Sequence, residues 1–177
     1  MRKLALLCST LLLTAPQVAA AQDTAPCLTA PEVSSLLTYA LPSVIDGISR
    51  TCATRLPDSA YLRRSGTEMS QRYTVAKTKA WPVAKAAFVK MSSGKDQTAG
   101  KVLMSMPDDT LQKFVDAAFA GIVTGEIKPE SCGTIDRLMS AIAPLPPENT
   151  SELLSVLIGL GSRSGAGRMG PISFCKA

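Results

Sequence analysis

No histidine occurs among the 177 residues, so the commonest general base and the commonest metal ligand are both missing. What remains for chemistry is serine with lysine, clustered carboxylates, cysteine and cations. Ser92-Ser-Gly-Lys95 has the Ser-x-x-Lys spacing by which some acyl-transferring enzymes let a neutral lysine take the proton of a serine. That chemistry needs a helix start and a dry pocket. Gly94, between the two, is a poor helix former, and no companion motif of the class follows. A small hydrolase using Ser92 with Lys95 is therefore the alternative reading and not the leading one.

Other motifs fail on spacing. Gly94 to Lys101 approximates a P-loop, but five residues separate Gly94 from Gly100 where four are required, and Val102 stands where a hydroxyl should hold magnesium. Gly161-Ser-Arg-Ser-Gly-Ala-Gly-Arg168 follows a helix, whereas a phosphate cradle feeds a helix N-terminus. An anion nest between Arg163 and Arg168 is weaker than the reading of a tethered glycine-rich tail. Asp108-Asp109 and Glu126 with Glu130 are the acids expected at helix starts from the helix dipole. No catalytic residue, metal ligand or cofactor is assigned.

The cations carry the strongest hint. Residues 50–101 hold eleven Lys/Arg against three Asp/Glu, and residues 108–152 hold three against eight. Such a division steers an anionic ligand toward the first region and a basic partner toward the second. Trp81, the single tryptophan, lies among Lys77, Lys79 and Lys85, where an indole beside cations can stack on a ligand or meet a lipid headgroup. With Arg63 and Arg64 these form the candidate binding set. Against it stand two plainer readings: solvated helix faces carry charge anyway, and a large aromatic at a helix bend usually packs inward.

The elements that must position these residues come next. The first residues read as a secretory leader: Arg2-Lys3, an apolar run from Leu4 to Leu13, then Ala19-Ala20-Ala21, with cleavage expected after residue 21. Cys8 has Leu7 before it and does not make a lipoprotein signal. The remaining 156 residues carry 17 basic and 14 acidic side chains, which gives no reason to expect a nucleic-acid partner. Past the leader no run of about 18 apolar residues exists, so no transmembrane span is expected. Cys27, Cys52, Cys132 and Cys175 remain, an even number without a Cys-x-x-Cys pair, and read as two structural disulfides.

Periodicity is helical throughout. Thr29-Ala-Pro-Glu32 is a capping box opening a helix. Pro42 interrupts it, and a hairpin there would bring Cys27 to Cys52, leaving Cys132 for Cys175. Asp58 caps a short helix ended by Gly66. From 67 to 91, Met69, Tyr73, Ala76, Ala80, Ala84, Ala87, Phe88 and Met91 share one arc that survives Pro82. Further helices follow near 96–106, 108–125 and 131–143, and a last one is capped by Asn149 or Thr150. Residues 159–177 hold five of the twelve glycines and read as an irregular tail. The expectation is an all-α protein, one domain over residues 22–177, with six to eight helices and two disulfides.

Function follows only in outline: a non-catalytic periplasmic or secreted protein that binds an envelope protein or an anionic envelope component. An envelope-stress chaperone or enzyme inhibitor is a further reading. The sequence gives no oligomeric state.

Overall fold

The computed structural model describes residues 27–94, 96–163 and 175. Six α-helices account for most of them: α1 (Ala30–Cys52), α2 (Tyr61–Ser93), α3 (Gln97–Ser105), α4 (Asp108–Glu126), α5 (Cys132–Ile142) and α6 (Pro147–Arg163), with a 3-10 turn at Pro129–Ser131. No β-strand occurs among the described residues. The expected leader, residues 1–21, and most of the glycine-rich tail lie outside them.

Helix α1 starts as its sequence dictates. The Thr29 hydroxyl accepts from the Glu32 amide, and the Glu32 carboxylate accepts from the Thr29 amide at 2.7 Å. The helix then continues through Pro42 to Cys52, which corrects the expected hairpin. A proline removes one amide donor from the helix interior; the ring of Pro42 is buried, and the Pro42 carbonyl accepts from Ser70 Oγ at 3.2 Å. Packing against α2 thus holds a helix that local sequence would break. Its ends are on the order of 30 Å apart at 1.5 Å per residue.

That length settles the disulfides. Cys27 bonds Cys175, and Cys52 bonds Cys132. The expected pairs Cys27–Cys52 and Cys132–Cys175 are therefore wrong, because each end of a 23-residue helix has its own neighbourhood.

Helix α2 returns antiparallel along α1, with Gly66 opposite Ser49, Trp81 against Tyr39, and Lys90 paired with Glu32. It is longer than expected, because Gly66 does not end a short helix but lies buried inside α2. Asp58 does not cap it either. Its N-cap, Ala60, offers no side-chain acceptor, and the Asp136 carboxylate from α5 takes the amides of Leu62 at 2.7 Å and Tyr61 at 3.3 Å. The Cys52–Cys132 bond fixes the first turn of α5, one turn ahead of Asp136.

Helix α4 packs on α1 beside α2 and runs parallel to α1. Tyr39 meets Gln112, Ser43 meets Asp116, and Gly47 meets Ala120, a constant offset of 73 residues repeated every helical turn. Two apolar clusters fill the interior. One joins Ile45, Ile48 and Cys52 of α1 to Met69 and Tyr73 of α2 and Met139 and Ile142 of α5. The other joins Val33, Leu36 and Tyr39 to Trp81, Ala84, Ala87 and Phe88, closed by Leu103, Leu111 and Val115. Helix α6 packs on α1, and Tyr73 Oη lies 2.7 Å from Thr150 Oγ1, both residues fully buried. Thr150 is thus inside α6 and not its cap, since the helix begins at Pro147.

Candidate functional site

Two of the three lysines around Trp81, Lys77 and Lys85, reach the acids of α4 where α1, α2 and α4 meet. Lys77 Nζ donates to Asp116 Oδ2 at 2.6 Å and lies 4.7 Å above the Tyr39 ring centre. Ser43 Oγ donates to the other Asp116 oxygen at 3.2 Å. One turn along α2, the Trp81 indole donates to Asp108 Oδ2 at 3.2 Å, and Lys85 pairs with Asp108 Oδ1. The two opposite charge regions read from the sequence therefore meet across this α2–α4 seam.

Electrostatics within the seam favour this arrangement. The Lys85 ammonium and then the Trp81 indole hold the Asp108 carboxyl below its usual range. Burial, assisted by nearby Asp116, pushes the Tyr39 phenol far up, so Tyr39 stays protonated and donates to the Gln112 carbonyl at 3.3 Å. Trp81 is 7% exposed and stacks at a tilt on Tyr39, with ring centres 4.8 Å apart. Its ring is packed inward, as the plainer reading of a large aromatic at a helix bend expects.

The rest of the candidate set disperses. Arg63 pairs with Asp58 and donates to the Ala53 carbonyl at 2.7 Å, stitching the α1–α2 connection. Arg64 and Lys79 are exposed and make no ion pair among the described residues. Ser92 is half-buried near the end of α2, and Lys95, its proposed base, lies outside the described residues, as does Arg168. No group of three His, Cys, Asp or Glu is arranged to hold a metal among the described residues. No helix among them is long and apolar enough to cross a membrane.

A different surface stands out on α6. Leu154 and Ile158 face inward, and Thr150, Ser151 and Ser155 complete the buried side. Leu153, Val156, Leu157 and Leu160 recur at i, i+3, i+4 and i+7, so they share one face. They are 42%, 50%, 53% and 56% exposed. Glu148 and Glu152 are exposed on the first two turns of the same helix. Single exposed apolar residues are ordinary, but a contiguous stripe of four is the kind of patch that marks an interaction site. Periodicity alone marks a helix here but not which of its apolar faces is buried. The signal was the excess of apolar residues over what one buried face of a 17-residue helix requires.

Comparison with known proteins finds no matching family model, no similar curated protein and no similar solved structure.

Proposed function

We propose that this chain is a non-catalytic helical protein of the periplasm or the secreted space, which binds a macromolecular partner on the outer face of α6. The observation that carries this reading is the stripe Leu153, Val156, Leu157 and Leu160, half-exposed on a helix whose opposite face is packed. An exposed apolar stripe at helical spacing matches helix-mediated recognition, in which anchors at i, i+3, i+4 and i+7 enter a partner groove. The two disulfides support an oxidising compartment, as does the leader-like amino terminus. A protein partner has better support than an anionic component, because Lys77 and Lys85 already have carboxylate partners inside the fold.

The test is site-specific photo-crosslinking in intact cells, with the photoreactive residue at Val156 and, as control, at Val75, an exposed valine on α2. The expected result is a discrete adduct from position 156 and none from 75. No discrete adduct at 156, or equal adducts at both positions, refutes the reading.

A further inference from the structure

The two disulfides occupy different environments. Cys52 and Cys132 are 0% and 2% exposed, enclosed by the cluster that holds Ile48, Leu56, Met69 and Met139. Cys27 and Cys175 are only partly covered, at the edge where the chain enters α1. Thiol–disulfide exchange requires a thiolate to reach one sulfur, so its rate depends on access.

We infer that Cys27–Cys175 is a site of thiol–disulfide exchange, a clasp that a protein dithiol opens and closes while Cys52–Cys132 stays intact and the helical body stays folded. The inference is independent of the α6 reading. Opening begins when one thiolate of the dithiol attacks a clasp sulfur. This forms a mixed disulfide and expels the other cysteine as a thiolate, which takes a proton. The second thiol of the dithiol then attacks the mixed disulfide. Two electrons and two protons pass to Cys27 and Cys175, and the dithiol leaves as a disulfide.

The body holds without the clasp because the start of α1 has anchors of its own. Leu28 is 1% exposed and packs in the cluster with Val33, Phe88 and Leu103. The Thr29–Glu32 capping box closes the first turn, and Lys90 reaches the same Glu32 carboxylate from α2 at 3.0 Å. Opening the clasp therefore gives up loop closure and one hydrogen bond recorded there, from the Cys175 amide to the Leu28 carbonyl, but none of these contacts. The buried bond is different, since it positions α5 and with it the Asp136 cap of α2.

The full oxidised chain is titrated with dithiothreitol, alkylated and mapped by peptide mass, while far-UV circular dichroism and Trp81 emission are followed. The expected result is alkylation of Cys27 and Cys175 at roughly tenfold less dithiol than Cys52 and Cys132 require, with both spectra unchanged at the first step. The variant C27S/C175S is expected to fold with the native Trp81 emission and to retain Cys52–Cys132. Opening of both bonds together, opening of the buried bond first, or resistance of the clasp until the chain unfolds overturns the inference. So does loss of the native spectra on clasp opening or in C27S/C175S.

Discussion

Replacing Lys77 by methionine separates a structural seam from a ligand-binding surface. Methionine keeps the apolar stem in place beside Tyr39 and removes only the ammonium. The side chains of Lys77 and Asp116 are 17% and 31% exposed, so the pair lies between two regimes. Exposed pairs contribute about 0.2–1 kcal/mol, and breaking a fully buried pair costs about 3–5 kcal/mol because the survivor's charge is left uncompensated. Ser43 Oγ still donates to Asp116 after the substitution and softens that loss. Loss of the cation–π contact with Tyr39 adds on the order of 0.5–1 kcal/mol. The expected cost of Lys77→Met is therefore about 2 kcal/mol, against less than about 0.5 kcal/mol for Lys79→Met at an exposed position. Urea unfolding followed by Trp81 emission measures both, and K77M, D116N and the double variant form a cycle that isolates the pair. Equal costs at 77 and 79, or a coupling energy below about 0.5 kcal/mol, refute the seam.

Three other outcomes follow from the same structure. Asp136→Ala is expected to destabilise the protein by about 1–2 kcal/mol in urea unfolding, because the amides of Tyr61 and Leu62 lose their carboxylate acceptor; an unchanged midpoint refutes the cross-element cap. Gly47→Ala and Gly100→Ala are expected to act in opposite directions. A methyl at Gly47 meets α4 atoms at an ordinary 3.7–3.8 Å and gains about 0.5–1 kcal/mol of helix propensity, whereas at Gly100 it comes within 2.8 Å of Ser93 Cβ and forces α3 off α2. Thermal midpoints moving the same way would contradict this packing. The Thr29 amide and Lys90 hold the Glu32 carboxyl below its usual value of 4.5, so its contribution is full above that value and is lost as pH falls through the lower folded value. Glu32→Gln should therefore be less stable than wild type near neutral pH, with the gap in urea midpoint closing in acid; a gap independent of pH rules out this linkage.

Legibility in the sequence tracked the range of the interaction. The capping box at Thr29–Glu32, the arc from Met69 to Met91 and the all-α class were readable, because each depends on residues within a turn or two of one another. The even cysteine count was readable as two disulfides, but their pairing was not. It depended on whether Pro42 folds the chain back, and burial of its ring between packed helices decided that it does not.

The same division governs the site. Residue types alone placed a tryptophan among lysines on one element and a run of acids on another. Only the parallel register of α1 and α4, with α2 antiparallel beside them, set Asp116 against Lys77 and Asp108 against Trp81 and Lys85. That register pairs Lys77 and Lys85 of the candidate set with carboxylates of α4, and the packing of α6 leaves its stripe Leu153, Val156, Leu157 and Leu160 about half exposed. Sequence by itself determined which residues become helical and which share a face, since backbone geometry repeats every 3.6 residues. Which faces meet was decided by the tertiary structure, because charge and apolar area are satisfied by whatever lies opposite in space, up to 148 residues away along the chain.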